Sequence, residues 1–537
     1  MILIGFLLTC SVFIEKNAIV ATDTNENSNP SLRGSLLDHS GIPICKATRH
    51  QNWPRICSDG DGGAIITWSD QRNYEVSELD IYAQKINGTG GIKWNSDGES
   101  ITEKDENQFG IQMISDEAGG AIIYWEDDDI IGSGKYAQRV NRSGQLKWTI
   151  NGELIGLAIQ DSYKLCSDGA EGAIIATSDG DIYAQRIDSN GVLRWGTEIN
   201  GIPICTYSGS QSTPLICSDN AGGAVIAWID QRTSGISGSD IYAQRIDSSG
   251  NVLWTPDGIT VCNASNNQEE LQICCDGAGG AIIAWKDERD NSDIYAQRIN
   301  AAGACLWGDN GSSICSHSEA QIEPKICSDG NEGAIITWID YRNMGSPYSD
   351  IFIQRINSTG DLEWNTDGVA ICTGCYHRNY LEMCSDGAGG AIITWTDFRT
   401  DEYPLSDIYA QRINSTGETK WDSNGAVVCT ESINSFDPEI CSDGAEGAII
   451  TWTDSRNEPY TDIYAQRINS TGTRQWSIYI PDGNIGGGGG DDGNGNGKKP
   501  PDDPTILLVM LGISIVAGCV MVIIAWKKKL FTKLKRN

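Results

Sequence analysis

The chain has 537 residues and a formal net charge of −33, from 72 acidic against 39 basic side chains. That balance excludes nucleic acid and anionic surfaces as partners for the bulk of it, and leaves cations, cationic polymers and neutral glycans. Excess acid also keeps an exposed protein soluble.

Residues 1–21 contain an apolar run from Ile2 to Ile14. It is too short for a comfortable membrane span and reads as a signal peptide, although its leading residues include no Lys or Arg. Residues 22–40 form an N-terminal segment. From 41 to 480 one pattern recurs eight times, so a single large closed domain replaces the several domains that this length would suggest. Its fullest form is Cys384-Ser385-Asp386-Gly387-Ala388-Gly389-Gly390-Ala391-Ile392-Ile393-Thr394-Trp395, then Asp407 to Asn414, Gly417 and Trp421. The first tryptophan recurs at Trp68, Trp125, Trp228, Trp285, Trp338, Trp395 and Trp452, with Thr177 in its place in the third repeat. The second recurs at Trp94, Trp148, Trp195, Trp254, Trp307, Trp364, Trp421 and Trp476.

Each repeat reads as four strands. A short strand A, such as Tyr380 to Cys384, leads into an Asp-Gly-x-Gly-Gly turn, where glycine supplies positive φ. Ala-Ile-Ile-x-Trp is a buried strand B, and Asp-Ile-Tyr-Ala-Gln-Arg-Ile alternates as strand C. Asn-Ser-Thr-Gly is the next turn, and strand D surrounds the second tryptophan. Stacking eight such sheets around an axis buries both faces of each, with the tryptophans filling the gaps. The predicted fold is therefore all-β, an eight-bladed β-propeller with four-stranded blades, with an open solenoid as the alternative. The last repeat stops at Trp476 to Pro481 without the usual Gly-x-x-Ile-Cys, which stands instead at Gly41-Ile42-Pro43-Ile44-Cys45. The N-terminal strand is expected to complete the eighth blade.

The motifs Ile408-Tyr409-Ala410, Thr416-Gly417 and Trp421, with their counterparts around the ring, resemble the pyrroloquinoline-quinone-type propeller repeat. They are similar too to the short propeller repeats of secreted microbial proteins. The quinoprotein-like resemblance implies eight blades held by a tryptophan in each outer strand. It covers cofactor-bearing dehydrogenases and cofactor-free scaffolds alike, so it speaks to fold rather than function. The dehydrogenases carry a vicinal disulfide beside the cofactor. Cys274-Cys275 is vicinal here, but no matching set of cofactor contacts accompanies it.

Sixteen of the 18 cysteines lie in the repeats. Cys45–Cys57, Cys205–Cys217, Cys262–Cys274, Cys315–Cys327, Cys372–Cys384 and Cys429–Cys441 are each 12 apart, and Thr102 and Ile114 replace both members together. Six disulfides at the D-to-A crossovers are the expectation. Cys275–Cys305 is a candidate seventh, Cys166 reads as a buried apolar residue, and Cys375 is left over. The regular spacing without matching histidines argues against zinc. No metal site and no cofactor is predicted, Ca²⁺ at turns such as Asp59-Gly60-Asp61-Gly62 being the alternative; most copies offer only one carboxylate.

Seven glycosylation sequons stand at Asn87, Asn141, Asn263, Asn310, Asn357, Asn414 and Asn469, five of them in C–D turns, where the same residues are also good turn formers. The opposite face carries the B–C loops that differ most between repeats, and Tyr74, Tyr348, Tyr403 and Tyr460 within them are the candidate ligand-binding residues. The repeated Asp70/Arg72 pair and its five copies read as structural anchors, since a reaction needs one asymmetric constellation. Ser-Asp-Gly-x-Gly-Gly is similar to the Asp-boxes of sialidases with a different spacing. No catalytic residue is assigned.

Residues 481–504 are a Gly/Asp/Pro-rich linker, and Thr505 to Trp526 are 22 uncharged residues, long enough to span a bilayer. A basic tail, 527–537, follows and is expected on the cytoplasmic side. The sequence thus predicts a single-pass cell-membrane protein with one transmembrane helix and an extracellular ectodomain. The expected role is binding or adhesion to a glycan or protein ligand. A surface glycosidase or lyase with its site in the channel, or a structural surface-layer component, are the alternatives.

Overall fold

The computed structural model describes residues 37–479, apart from 39, 75–77, 103, 105–106, 129–133, 158–161, 234, 236–237, 344–347, 377, 400–405 and 431–433. The expected signal peptide, linker, transmembrane helix and tail lie outside the described residues. Among those described, no helix is long and apolar enough to cross a membrane.

Eight four-stranded antiparallel sheets follow one another along the chain, each in the order A-B-C-D. In the first blade the strands are Gln51–Ser58, Ala64–Asp70, Asp80–Ile86 and Glu99–Thr102. Strand B is fully buried because Ala-Ile-Ile-Thr-Trp faces neighbouring blades on both sides. The eighth blade takes Ile42–Cys45 as its outer strand, with Ile42 opposite Ala465 and Cys45 opposite Ile463. Leu37–Asp38 then pairs with Ile478–Tyr479. The ring is therefore a closed eight-bladed propeller, and the open solenoid is set aside.

Among the contacts that join the blades, two define the seam, one near each face. The second tryptophan of each repeat, expected within strand D, lies instead in the connection before it, as Trp94 precedes Glu99–Thr102, and on the turn face its indole donates to a carbonyl in the next blade's C–D turn. Trp148 Nε1 reaches Ser189 O at 3.1 Å, and Trp476 Nε1 reaches Gly88 O at 3.3 Å across the closure. The facing glycine must lack a side chain: a Cβ on Gly90, at φ 83°, would sit 3.0 Å from the Trp476 ring.

On the crossover face, the B-strand Trp-x-Asp-x-Arg forms a buried cluster. Trp285 Nε1 donates to Asp287 Oδ2 at 2.7 Å, and Arg289 clasps both oxygens of the same carboxylate at 2.6 and 2.8 Å. The guanidinium lies 3.9 Å from the Tyr295 ring centroid and donates to Cys262 Sγ, in the preceding blade, at 3.4 Å. Six blades repeat this arrangement, in agreement with a structural role for the Asp/Arg pairs. In the second blade Lys104 pairs with Asp127 instead.

The six expected disulfides are not formed. Cys45, Cys57, Cys205, Cys217, Cys262, Cys274, Cys315, Cys327, Cys372, Cys384, Cys429 and Cys441 are all free thiols, as are Cys275 and Cys305. The 12-residue spacing instead joins two unrelated positions. Cys45 ends an outer strand, whereas Cys57 lies six residues into the following inner strand, about 20 Å along an extended chain. A disulfide needs Cα atoms within roughly 7 Å. Each predicted pair is divided between two different inter-blade layers, as Cys205 and Cys217 are. The outer cysteine receives the arginine, and the inner one packs as a small apolar group. Burial raises these thiols, Cys57 to about 12, so they stay protonated and unreactive. The joint replacement at Thr102 and Ile114 reflects two separate accommodations: Thr102 sits where the seam uses Lys104, and Ile114 fills the inner apolar slot.

Arg289→Ala leaves Asp287 fully buried without its cation, with the Trp285 indole, the residue-289 amide and the Cys262 thiol as the donors that remain. Its expected cost is about 3–5 kcal/mol in urea unfolding. A loss below about 1 kcal/mol would show that the cluster does not hold the seam.

Candidate functional site at the channel mouth

Seven of the eight inner strands carry a bulge at the same place. In the first blade the register with strand B skips between Asn52 and Arg55, and Trp53 takes φ 52°. The same left-handed bulge recurs at Gly110, Thr213, Glu270, Glu323, Tyr380 and Asp437, with φ between 52° and 65°. The third blade pairs without a break from Ser162 to Ser167. Left-handed backbone costs a non-glycine residue about 1–2 kcal/mol, most for β-branched Thr213. The bulge turns the side chain out at the crossover end of the inner strands, around the mouth of the channel. Trp53 is 49% exposed and Tyr380 54%.

The framework of each strand repeats, yet the bulge residue is Trp, Gly, Thr, Glu, Glu, Tyr or Asp. The variation creates an asymmetric surface on a symmetric scaffold. Tyr380 and Asp437, on adjacent blades, are close enough for the carboxylate to raise the phenol. Glu323 N–H donates to Glu270 Oε2 at 2.6 Å, and burial together with Glu270 raises the Glu323 carboxyl.

One step down the channel, Arg55, Lys164, Lys325, Glu382 and Glu439 occupy equivalent inner-strand positions, each opposite the strand-B residue one before the tryptophan or its replacement. Arg55 pairs with Glu439 at 2.8 Å and Lys325 with Glu382 at 2.6 Å, each joining adjacent blades. Lys164, on the third blade, senses Arg55, Lys325, Glu382 and Glu439 from four others, so these groups converge on the axis. Burial is the main cause that raises the Glu439 carboxyl; Glu382 adds to it and Arg55 opposes it.

Of the tyrosines predicted to bind, the structure brings two together. Tyr74 lies 5.3 Å from the Arg49 guanidinium, and Tyr460 meets His50 edge-on at 5.3 Å. Both are exposed and flank the first blade's crossover, which leads into Trp53. Tyr348 begins a strand, opposite Tyr376, with its side chain outside the described residues, and Tyr403 lies outside them entirely. The channel-mouth ring escaped the sequence reading. Its signal was a position that varies in an otherwise repeated strand, followed by a buried Pro54, Pro214, Pro324 or Pro438.

The turns on the opposite face are filled by structure. Asp59 Oδ1 accepts from the Asp61 and Gly63 amides at 2.9 and 2.8 Å, and Oδ2 pairs with Lys85 at 3.2 Å. That carboxylate is already engaged at the turn considered for Ca²⁺. Among the described residues, no group of three or more His, Cys, Asp or Glu is placed to hold a metal ion. In the C–D turns, Asn87, Asn141, Asn357, Asn414 and Asn469 accept from the amide two residues on, and Asp188, Asp247 and Asn300 do the same without a sequon. Asn310 Oδ1 accepts from the Asn263 amide.

No family model matches the chain, and no curated protein does. Among solved structures, an alignment with a eukaryotic initiation factor covers 82% of this chain and 90% of that one, at 10% identity and a TM-score of 0.43. One with the Penicillium chrysogenum α-L-arabinanase in complex with arabinobiose covers 81% and 99%, at 9% identity and a TM-score of 0.33. A Dyadobacter fermentans protein of unknown function is aligned over 81% and 98%, at 10% identity and 0.36. Similarity at this level identifies neither a substrate nor an activity.

Two outcomes test the site. Thr213→Gly removes the left-handed penalty from an exposed residue and is expected to raise unfolding stability by about 1 kcal/mol; a loss would mean the threonine is held by contacts. For Glu439 the sign follows from its raised carboxyl. The folded state holds a proton that the unfolded chain releases, so stability falls as pH rises from the ordinary value of about 4.3 through the raised one. Glu439→Gln should therefore melt above the parent at pH 8 and lose that advantage by pH 4. A constant offset across that range would refute it.

Proposed function

We propose that this protein is a cell-surface binding propeller that takes a saccharide at the channel mouth on the crossover face. The observation that carries the reading is the ring of left-handed bulges. Strain kept at six of the seven bulges, with a different side chain at nearly every one, suits recognition better than scaffold. Trp53 and Tyr380 offer ring faces to a pyranose, and Glu323 and Asp437 offer acceptors to its hydroxyls. Tyr74 and Tyr460 would extend the surface for a longer chain. Display outside the cell, on a membrane-spanning helix at 505–526, belongs to the same proposal, as does glycosylation of the turn-face asparagines. The glycans would then sit on the face away from the ligand.

A second reading is hydrolysis of a glycosidic bond. Its support is the pair Glu382 and Glu439 in the channel, one of them raised as a general acid requires. Each is held in an ion pair with a neighbouring blade, which favours a structural role.

The test is a glycan array probed with the full-length protein and with Trp53→Ala and Tyr380→Ala. Selective binding, weakened about tenfold or more in either variant, is the expected result. Silence across the array removes the reading. Hydrolysis of a bound glycan, abolished in Glu439→Gln, would replace it with the second one.

A further inference from the structure

The charges around the channel are not evenly shared. Blades five to eight and blade one carry both ion pairs and the carboxylates of Glu270, Glu323 and Asp437. Blades two to four present Gly110, Gln112, Thr213 and Leu215, all uncharged, around one lysine. Lys164 is solvent-exposed on this inner strand. Among the described residues it forms no ion pair, whereas Arg55 and Lys325 each hold a glutamate.

We infer that Lys164 receives a monoanionic substituent of the saccharide, a carboxylate or a sulfate ester, bound at the mouth. The inference rests on the saccharide reading and names the sugar class. An ammonium that pairs with none of the described residues, in the first half of the short inner strand Ser162–Ser167, is placed to donate to an anion that enters from the mouth. Its surroundings add to the case. Although its surface is open to the channel, the protein packed around the channel displaces water from it and lowers its ammonium; Arg55 and Lys325 add to this and Glu382 and Glu439 oppose it, and an incoming anion relieves the cost. The far wall supplies direction. Glu323 and Asp437 repel the anionic end and accept from the hydroxyl-bearing end, so an acidic sugar has one favoured orientation. The net charge of −33 opposes approach. Distant charges are screened beyond about 8 Å at physiological salt, and the contact with Lys164 is shorter than that.

The test uses the full-length protein on an array of neutral, uronate-bearing and sulfate-bearing oligosaccharides of matched backbones. An acidic glycan should bind about tenfold more tightly than its neutral counterpart, and Lys164→Gln should remove that difference. Lys164→Arg should restore most of it. Lys164 has no ion pair to lose, so both variants should melt with the parent, and thermal melting checks this. Whether the uronate or the sulfate series shows the preference tells the two anions apart. Equal binding of neutral and acidic glycans, or a preference unchanged in Lys164→Gln, overturns this inference and leaves the mouth as a neutral-saccharide site. Absence of binding to every glycan overturns the saccharide reading itself.

Discussion

The structure depends on a seam that can be made eight times and still meet itself. A four-stranded sheet with both faces apolar is insoluble alone, so each blade must be covered by a neighbour on either side. The indole in the connection before strand D supplies one half of that seam. It covers the next blade's turn with a large apolar face and donates its one polar hydrogen to a carbonyl there. The contact directs each blade onto the next at a fixed place. The glycine opposite, Gly90 at the closing seam, exists because a side chain would strike the ring.

The Trp-Asp-Arg cluster supplies the other half and settles what the cysteines are for. A carboxylate as buried as Asp287 needs compensation, and it takes an indole and a two-pronged guanidinium. The guanidinium still has hydrogens to place, and a thiol and a backbone carbonyl take them. At the last seam Arg456 reaches Ser40 O, so the chain's start is bound by the same group that joins the blades elsewhere. The third blade keeps an aspartate, Asp179, but has Thr177 for the tryptophan and Asp181 for the arginine, and among the described residues this cluster is absent from its boundary with the second. There Tyr163 stacks on Tyr124 at 5.4 Å instead.

Most of the fold was legible because the repeat states it several times over. Period-two strands, Asp-Gly turns and the displaced Ile42-Pro43-Ile44-Cys45 strand gave blade number, strand order and closure. The cysteines misled for a physical reason. Spacing along a chain reports separation in space only when the connection is compact, and here it includes most of an extended strand. The inner and outer edges of a blade each favour a small polarisable residue independently. The channel site was less legible because strand A reads in sequence as only Tyr380 to Cys384, whereas it runs Arg378–Ser385 and its bulge lies near its start. A bulge there changes which way one residue points without changing the residues that flank it.

Repetition and variation divide the work of this molecule. A group present in every blade sees a nearly identical environment each time, and summed around the ring it can confer little asymmetry. The turn aspartates and C-strand basic residues are of this kind. An asymmetric ligand on the axis needs residues that break the repeat, and these must lie near the axis, where the blades are within reach of one another. The inner strand satisfies both conditions at two positions: the bulge, and the residue two beyond it. At the second of these, Arg55 and Lys325 consume Glu439 and Glu382, which leaves the ring's polarity to blade three. The blade that has lost the bulge and the seam cluster is the one that carries Lys164. A departure from the repeat that weakens the scaffold there coincides with the one inner-strand cation that holds no carboxylate among the described residues.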